Sequence, residues 1–418
     1  MTPNTTSFQG LGIASEILDI LEYHKYTKPT PIQHQAIPIA LEGKDLIGIA
    51  QTGTGKTLAF GIPMIQRLGV VKGQGLILLP TRELALQVEE TLQKIGKSLG
   101  LRTAVLIGGA SMYQQVRALN SNPHIVVATP GRLVDHIKRR TYNLNRISIV
   151  VLDEADRMFD IGFAPQIKEI LSLISVNRQT MLFSATKSSE IAQLASRFQK
   201  LPLRIEVAPS GTTSSLVEQE VFIVNKEVKM QFLDKILQDN KGSVLIFSRT
   251  KHGAKRIALS LRGYGYTAAE IHSNRSLAQR KEALGGFKTG KYRILVATDI
   301  AARGIDVKGI QLVINFDLPD DLENYVHRIG RTGRAEESGK AITFATREEK
   351  SDIRSIERLI KKTLPILEVP ILPKRRMENL NLPVEKFSTP APRGRNFGRR
   401  PDFNRERSRQ GYGRKKRY

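Results

Sequence analysis

The chain has 418 residues, no cysteine and a net charge of +25. That length exceeds one ordinary core, so two domains are expected, and no apolar run approaches the ~20 residues a membrane helix needs. The missing thiols exclude disulfides and thiolate metal sites and suit a reducing cytoplasm.

Met1 to Gly10 is polar and lacks the apolar core of a signal peptide, so no export is expected. Ile13, Ile17, Ile20 and Leu21 recur at helical spacing and predict an amphipathic helix near Ala14 to Tyr23. Tyr26-Thr27-Lys28-Pro29-Thr30-Pro31-Ile32-Gln33 follows. Its prolines rigidify a loop whose ring and carboxamide suit a base edge, although Pro-Thr-Pro is also an ordinary loop. A short buried strand, Asp45 to Ile49, then leads into Ala50-Gln51-Thr52-Gly53-Thr54-Gly55-Lys56-Thr57, the P-loop pattern with Ala for its first Gly. Backbone N–H groups and the helix N-terminus there suit phosphates, Lys56 suits their β/γ oxygens, and the Thr57 hydroxyl suits Mg²⁺.

Strands and helices alternate from that point, as parallel βαβ construction requires. Strands are expected at Leu76–Leu79, Thr103–Ile107, Ile125–Ala128, Ile147–Leu152, Met181–Phe183 and Leu203–Val207. Most run into polar turns: Pro80-Thr81-Arg82-Glu83, Gly108-Gly109, Thr129-Pro130-Gly131-Arg132 and Ser184-Ala185-Thr186. Such turns suit phosphates, and each in isolation also reads as a turn with a helix cap. The strand over 147–152 ends in Asp153-Glu154-Ala155-Asp156. Acids at the carboxyl edge of a buried parallel strand suit a metal ion; capping of the next helix is the competing reading.

Small polar residues over 208–215 mark a linker between a domain spanning 1–207 and another spanning 216–373. The second has strands expected at Val221–Val224, Val244–Phe247, Ala268–Ile271, Ile294–Ala297, Leu312–Phe316 and Ile342–Ala345. It has no P-loop but carries two arginine-bearing strings, Ala297 to Asp306 and His327-Arg328-Ile329-Gly330-Arg331-Thr332-Gly333-Arg334. Three arginines around two glycines call for anions, unless they form a solvated basic turn. From Lys374 to Tyr418 there are fifteen basic and four acidic residues, a surplus of +11 that leaves +14 for the preceding chain. This Arg/Gly/aromatic tail cannot bury a core, is expected to be disordered, and suits phosphates and unpaired bases.

Taken together, these strings resemble the DEAD-box ATP-dependent RNA helicases over roughly Phe8 to Pro370. Tyr26 to Gln33, with Phe8 upstream, is similar to the Q motif, Ala50 to Thr57 to motif I, and Pro80 to Ala85 to motif Ia. Thr129 to Arg132 is similar to motif Ib, Asp153 to Asp156 to motif II, and Ser184 to Thr186 to motif III. Leu245 to Thr250, Ala297 to Asp306 and His327 to Arg334 are similar to motifs IV, V and VI. Three residues depart from the pattern: Lys25 and Ala50 stand where Gly is usual, and Leu277 stands where Gln is frequent. The short flanks and Arg/Gly tail are most like the small bacterial RhlE-type members.

The resemblance implies two tandem RecA-like domains, each a mostly parallel sheet flanked by helices, with ATP between them and single-stranded RNA across both. It implies that Phe8, Tyr26 and Gln33 serve adenine, and that Thr52, Gly53, Thr54, Gly55, Lys56 and Thr57 hold the phosphates. Thr57 and Asp153 would place Mg²⁺, Glu154 would deprotonate the attacking water, and Arg331 and Arg334 would be arginine fingers. Asp306 would contact the ribose, while Asp156, Ser184, Thr186 and His327 would relay hydrolysis to RNA grip. Arg82, Gly109, Thr129, Arg132, Thr298 and Arg303 would meet RNA phosphates. The implied activity is RNA-stimulated ATP hydrolysis coupled to local, non-processive unwinding of short duplexes or remodelling of RNA–protein assemblies, by a cytoplasmic monomer compatible with ribosomal or RNA-decay assemblies and without a membrane partner. Two rivals remain at this stage: an ATP-dependent DNA helicase or translocase, and a non-catalytic RNA clamp or annealing protein.

Overall fold

The computed structural model describes residues 7–51, 53–207, 217–302, 307, 309–333 and 338–372, all within one unit, Met1–Asn379. The expected linker and tail, and Thr52, Arg303, Asp306 and Arg334, lie outside the described residues.

Two seven-stranded sheets, parallel throughout, organise these residues. The first contains β1 (Leu46–Ile49), β2 (Gln74–Leu78), β3 (Thr103–Leu106), β4 (Ile125–Ala128), β5 (Ile147–Leu152), β6 (Gln179–Ser184) and β7 (Leu203–Glu206). The second contains β8 (Val217–Ile223), β9 (Val244–Phe247), β10 (Ala268–Ile271), β11 (Ile294–Ala297), β12 (Leu312–Asn315), β13 (Gly339–Ala345) and β14 (Ile366–Leu367). Their orders, β3-β4-β2-β5-β6-β1-β7 and β10-β11-β9-β12-β13-β8-β14, place equivalent strands in equivalent positions.

Helices cover both faces of each sheet, so the strands read as continuous apolar runs whose alternate side chains enter different cores. In β2, Ile77 joins the cluster containing Phe60 and Val88, while Leu76 and Leu78 join the one containing Leu133 and Ile170. Every expected strand is present. The strand that sequence reading does not find, β14, has two exposed residues and is held through its register with Val221 and Phe222 of β8.

Strand order sets the geography of the site. In the first sheet β6 lies between β1 and β5, so the carboxyl edge presents the P-loop, Ser184 and the acidic run side by side. The same edge of β2, β4 and β3 presents Arg82, Thr129 and Gly109. One sheet edge therefore carries two adjoining polar regions.

Candidate nucleotide and RNA site

The P-loop runs from the end of β1 into the Lys56–Leu68 helix. Ala50 N extends the β1–β6 ladder by donating to Ser184 O at 2.9 Å. Gly53 and Gly55 have φ of 89° and 84°, left-handed conformations that turn successive N–H groups inward and favour glycine. Lys56 is buried; its Nζ donates to Ala50 O at 3.0 Å and lies 3.9 Å from Asp153 Oδ1. Gln33 ties the upstream loop to this turn: Nε2 donates to Gly55 O and Oε1 accepts from Thr30 N, both at 2.9 Å. Its carboxamide thus braces the P-loop directly, a role the base-edge expectation leaves out. Tyr26 is half-buried against the first core, and Phe8 is fully inside it at 4% exposure. Lys25 holds φ at 61°, which accounts for glycine being usual there.

Asp153 prolongs the β5–β2 ladder, its N donating to Leu78 O, and its Oδ1 accepts from Glu154 N at 2.9 Å. Burial pushes the Asp153 carboxyl up to about 6; Lys56 opposes this, and Glu154 and Asp156 add to it. Asp153 is thus short of positive charge, with Lys56 its cation at 3.9 Å. Among the described residues no group of three His, Asp or Glu is spaced to cage a metal. One buried carboxylate facing the P-loop, 3.9 Å from the Lys56 amine, fits Mg²⁺, which keeps waters and takes substrate phosphates as its remaining ligands.

Glu154 adopts φ 52°, ψ 49° and caps the short Ala155–Asp160 helix. Its Oε2 accepts from Arg157 Nη1 at 2.9 Å, and Arg157 Nη2 lies 3.0 Å from His327 Nδ1. Asp156 faces elsewhere: its Oδ2 accepts from the N–H groups of Ala185 and Thr186, each at 2.9 Å. Ser184 Oγ closes this turn by donating to Thr186 O at 2.9 Å. Asp156 therefore joins the acidic run to Ser184–Thr186, and Arg157 carries a link from that run to His327. Sequence reading passes over Arg157 because one arginine in a short helix has no distinguishing pattern.

His327, Arg328 and Arg331 lie on and just after the Glu323–Ile329 helix. Arg328, 1% exposed, forks onto Asp299 at 2.5 and 2.7 Å and donates to Asp317 O at 2.6 Å. Its anion is internal, so it anchors the helix rather than reaching for a ligand. Arg331 Nε donates to His327 O at 3.3 Å, which places that guanidinium beside the His327 junction.

On the adjoining region, Arg82 lies against Gly108 and Gly109, and a side chain at Gly109 would collide with its guanidinium. Arg132 Nη2 donates to Ala110 O at 3.2 Å, while its buried Nε has no partner among the described residues. Burial, helped by neighbouring Arg280, lowers the Arg82 pKa. Crowded arginines around small backbone turns suit phosphate oxygens. Thr129 is buried at the end of β4, and Thr298 N donates to Ile271 O at 3.4 Å across the other sheet. Arg280 crosses between the halves and grips Glu83 at 2.6 and 2.8 Å. Leu277, three residues earlier on the same helix, packs against the first half's apolar cluster.

Fold and site together define a helicase-type P-loop protein of two RecA-like halves. A DEAD/DEAH box helicase family model matches residues 30–194, and a helicase conserved C-terminal domain model matches residues 228–336. The DEAD-box ATP-dependent RNA helicase CshA of Geobacillus kaustophilus is 42% identical over 385 residues, 91% of this chain and 82% of that one. The ATP-dependent rRNA helicase RRP3 of Debaryomyces hansenii is 42% identical over 389 residues, 92% and 81% of the two chains. Among solved structures, S. cerevisiae Dbp5 bound to RNA and ADP BeF3 superposes with a TM-score of 0.79 at 29% identity, covering 87% of this chain and 96% of that one. The chain belongs to the DEAD-box family of ATP-dependent RNA helicases. The relatives quoted do not carry an RhlE-type name, and that subgroup stays an expectation from the sequence. No helix among the described residues is long and apolar enough to cross a membrane.

Proposed function

We propose that this chain hydrolyses ATP when RNA brings its two halves together, and that this cycle opens short duplexes locally. The observation that carries the reading is the junction at Glu154. One buried cluster holds the P-loop lysine 3.9 Å from Asp153 and links Glu154, through Arg157, to His327 of the second half. A site divided in this way turns over only when both parts are assembled.

In this reading Lys56 and the N–H groups after Gly53 and Gly55 hold the phosphates, and Gln33 supports that turn while Tyr26 stacks on adenine. Thr57 and Asp153 would hold Mg²⁺, which supplies charge neutralisation on the phosphate oxygens. Glu154 takes the proton of the attacking water, and Arg331, with Arg334, offsets charge developing on the transferred phosphoryl group. Phosphoryl transfer depends on positioning and such neutralisation, and fingers from a second part are worth about 10³–10⁵ in rate. Asp156, Ser184 and Thr186 transmit the state of the acidic run to the neighbouring strand end. RNA phosphates meet Arg82, Gly109, Thr129 and Arg132 on one half, and Thr298 and Arg303 on the other. The names of the relatives favour RNA over the DNA and clamp alternatives. Domain limits of 1–207 and 216–373, a monomeric state and cytoplasmic location complete the proposal.

Glu154→Gln tests it: ATP and RNA binding should persist while turnover falls at least 10²-fold, and unchanged ATPase would remove Glu154 from the role. RNA and DNA of one sequence, compared as stimulators, test substrate class. Equal stimulation would refute RNA preference.

A further inference from the structure

Arg157 is buried at the centre of the site, with 1% of its side chain exposed, and beyond linking the two halves it has no assigned part in the chemistry. One arm of its guanidinium holds Glu154 Oε2 at 2.9 Å, and the other lies 3.0 Å from His327 Nδ1, 170 positions away in the sequence. A guanidinium only donates, so His327 accepts at Nδ1 and carries its ring proton on Nε2. The planar fork thus spans the buried Glu154 carboxylate of one half and the arginine-bearing helix of the other.

The turn bearing Arg157 is itself well fixed. Arg157 N donates to Asp156 Oδ1, and Asp156 Oδ2 takes the two N–H groups after Ser184. Glu154 sits in the left-handed region, where a non-glycine residue persists only when its surroundings over-determine it. Arg157 anchors the Glu154 side chain in this geometry through a buried ion pair at 2.9 Å. Withdrawing His327 would remove one acceptor of a buried, charged donor. Such a group reorients toward water, and here it would draw Glu154 with it.

We propose that Arg157 is a positioning residue that aims Glu154 at the attacking water only while His327 is docked against it. The base thereby senses assembly of the two halves directly. This rests on Glu154 being the base, as proposed above.

The test uses the full chain with Arg157→Met, Arg157→Lys, His327→Ala and the Arg157→Met/His327→Ala double variant. RNA-stimulated kcat, the KM for ATP and thermal unfolding are measured for each. Arg157→Met and His327→Ala should each lower kcat 10- to 100-fold with the KM for ATP changed less than twofold. Arg157→Lys should recover only part of the loss, because an ammonium is a point charge without the fork. The double variant should be no slower than the slower single one, since both break one link. Should removing the buried charge unfold Arg157→Met, His327→Ala, altered at a half-buried position, reads the same link. Overturning results are kcat within twofold of wild type for Arg157→Lys and His327→Ala, or losses that multiply in the double variant. Glu154→Gln separates the two readings. If it retains turnover, the base assignment fails; if it is inactive while the Arg157 variants are normal, only the positioning role fails.

Discussion

The Glu83–Arg280 pair offers a quantitative test of how the halves hold together. Arg280 Nε and Nη2 meet the two carboxylate oxygens of Glu83 at 2.6 and 2.8 Å, with side chains 11% and 3% exposed. Breaking a buried, forked ion pair by removing one member costs about 3–5 kcal/mol, because the other charge stays behind without its partner. Arg82 stands close enough to Glu83 to take over part of that role, so the lower end applies. About 3 kcal/mol corresponds to roughly 10²-fold in the equilibrium between docked and separated halves, at 1.4 kcal/mol per factor of ten. Each half keeps its own core, so folding itself is nearly untouched. Arg280→Ala should therefore raise the RNA concentration for half-maximal ATPase by about 10²-fold and leave the melting temperature within about 2 °C. The assay is an RNA titration of steady-state ATP hydrolysis beside a thermal melt. Glu83→Ala/Arg280→Ala should be milder than Arg280→Ala alone, since no buried charge is stranded. An Arg280→Ala titration that overlays wild type within threefold refutes the reasoning, as does a lowered melting temperature with unchanged RNA dependence.

Further outcomes follow from single sites. Gly55→Ala places a Cβ on the Gln33 carboxamide at φ 84°, so nucleotide affinity should fall at least tenfold, measured by equilibrium titration with ATP. Burial holds His136 below its ordinary value, with Arg132 adding to the effect. An unfolded histidine near 6.5 takes its proton first as pH falls. The stabilising contribution is therefore fully present above about 6.5 and is lost as pH drops toward the depressed folded value. His136→Gln should flatten denaturant-derived stability against pH between 7 and 5; an unchanged slope would exclude His136 as a contributor.

The alternation of apolar strands with polar turns was legible because each buried parallel strand must be a continuous β-branched run bounded by turn residues. The P-loop was equally legible, since phosphate binding needs glycine backbone, a lysine and a hydroxyl at fixed separations. β14 escaped because two exposed residues carry no periodicity, and only pairing with β8 makes them a strand. Among the arginines of the second half, Arg328 reads like a ligand-seeking residue until the fold supplies Asp299 within 2.5 Å.

The sequence by itself determined the doubled α/β architecture, the phosphate-binding turn and the acidic strand end, because local chain chemistry and spacing suffice for each. Only the tertiary structure decided that Asp156 serves the Ser184–Thr186 turn, that Gln33 braces Gly55, and that Arg157 and Arg280 bind across the halves. Those pairings join residues up to 197 positions apart, and no local pattern encodes them. Strand order and the meeting of two sheet edges create them.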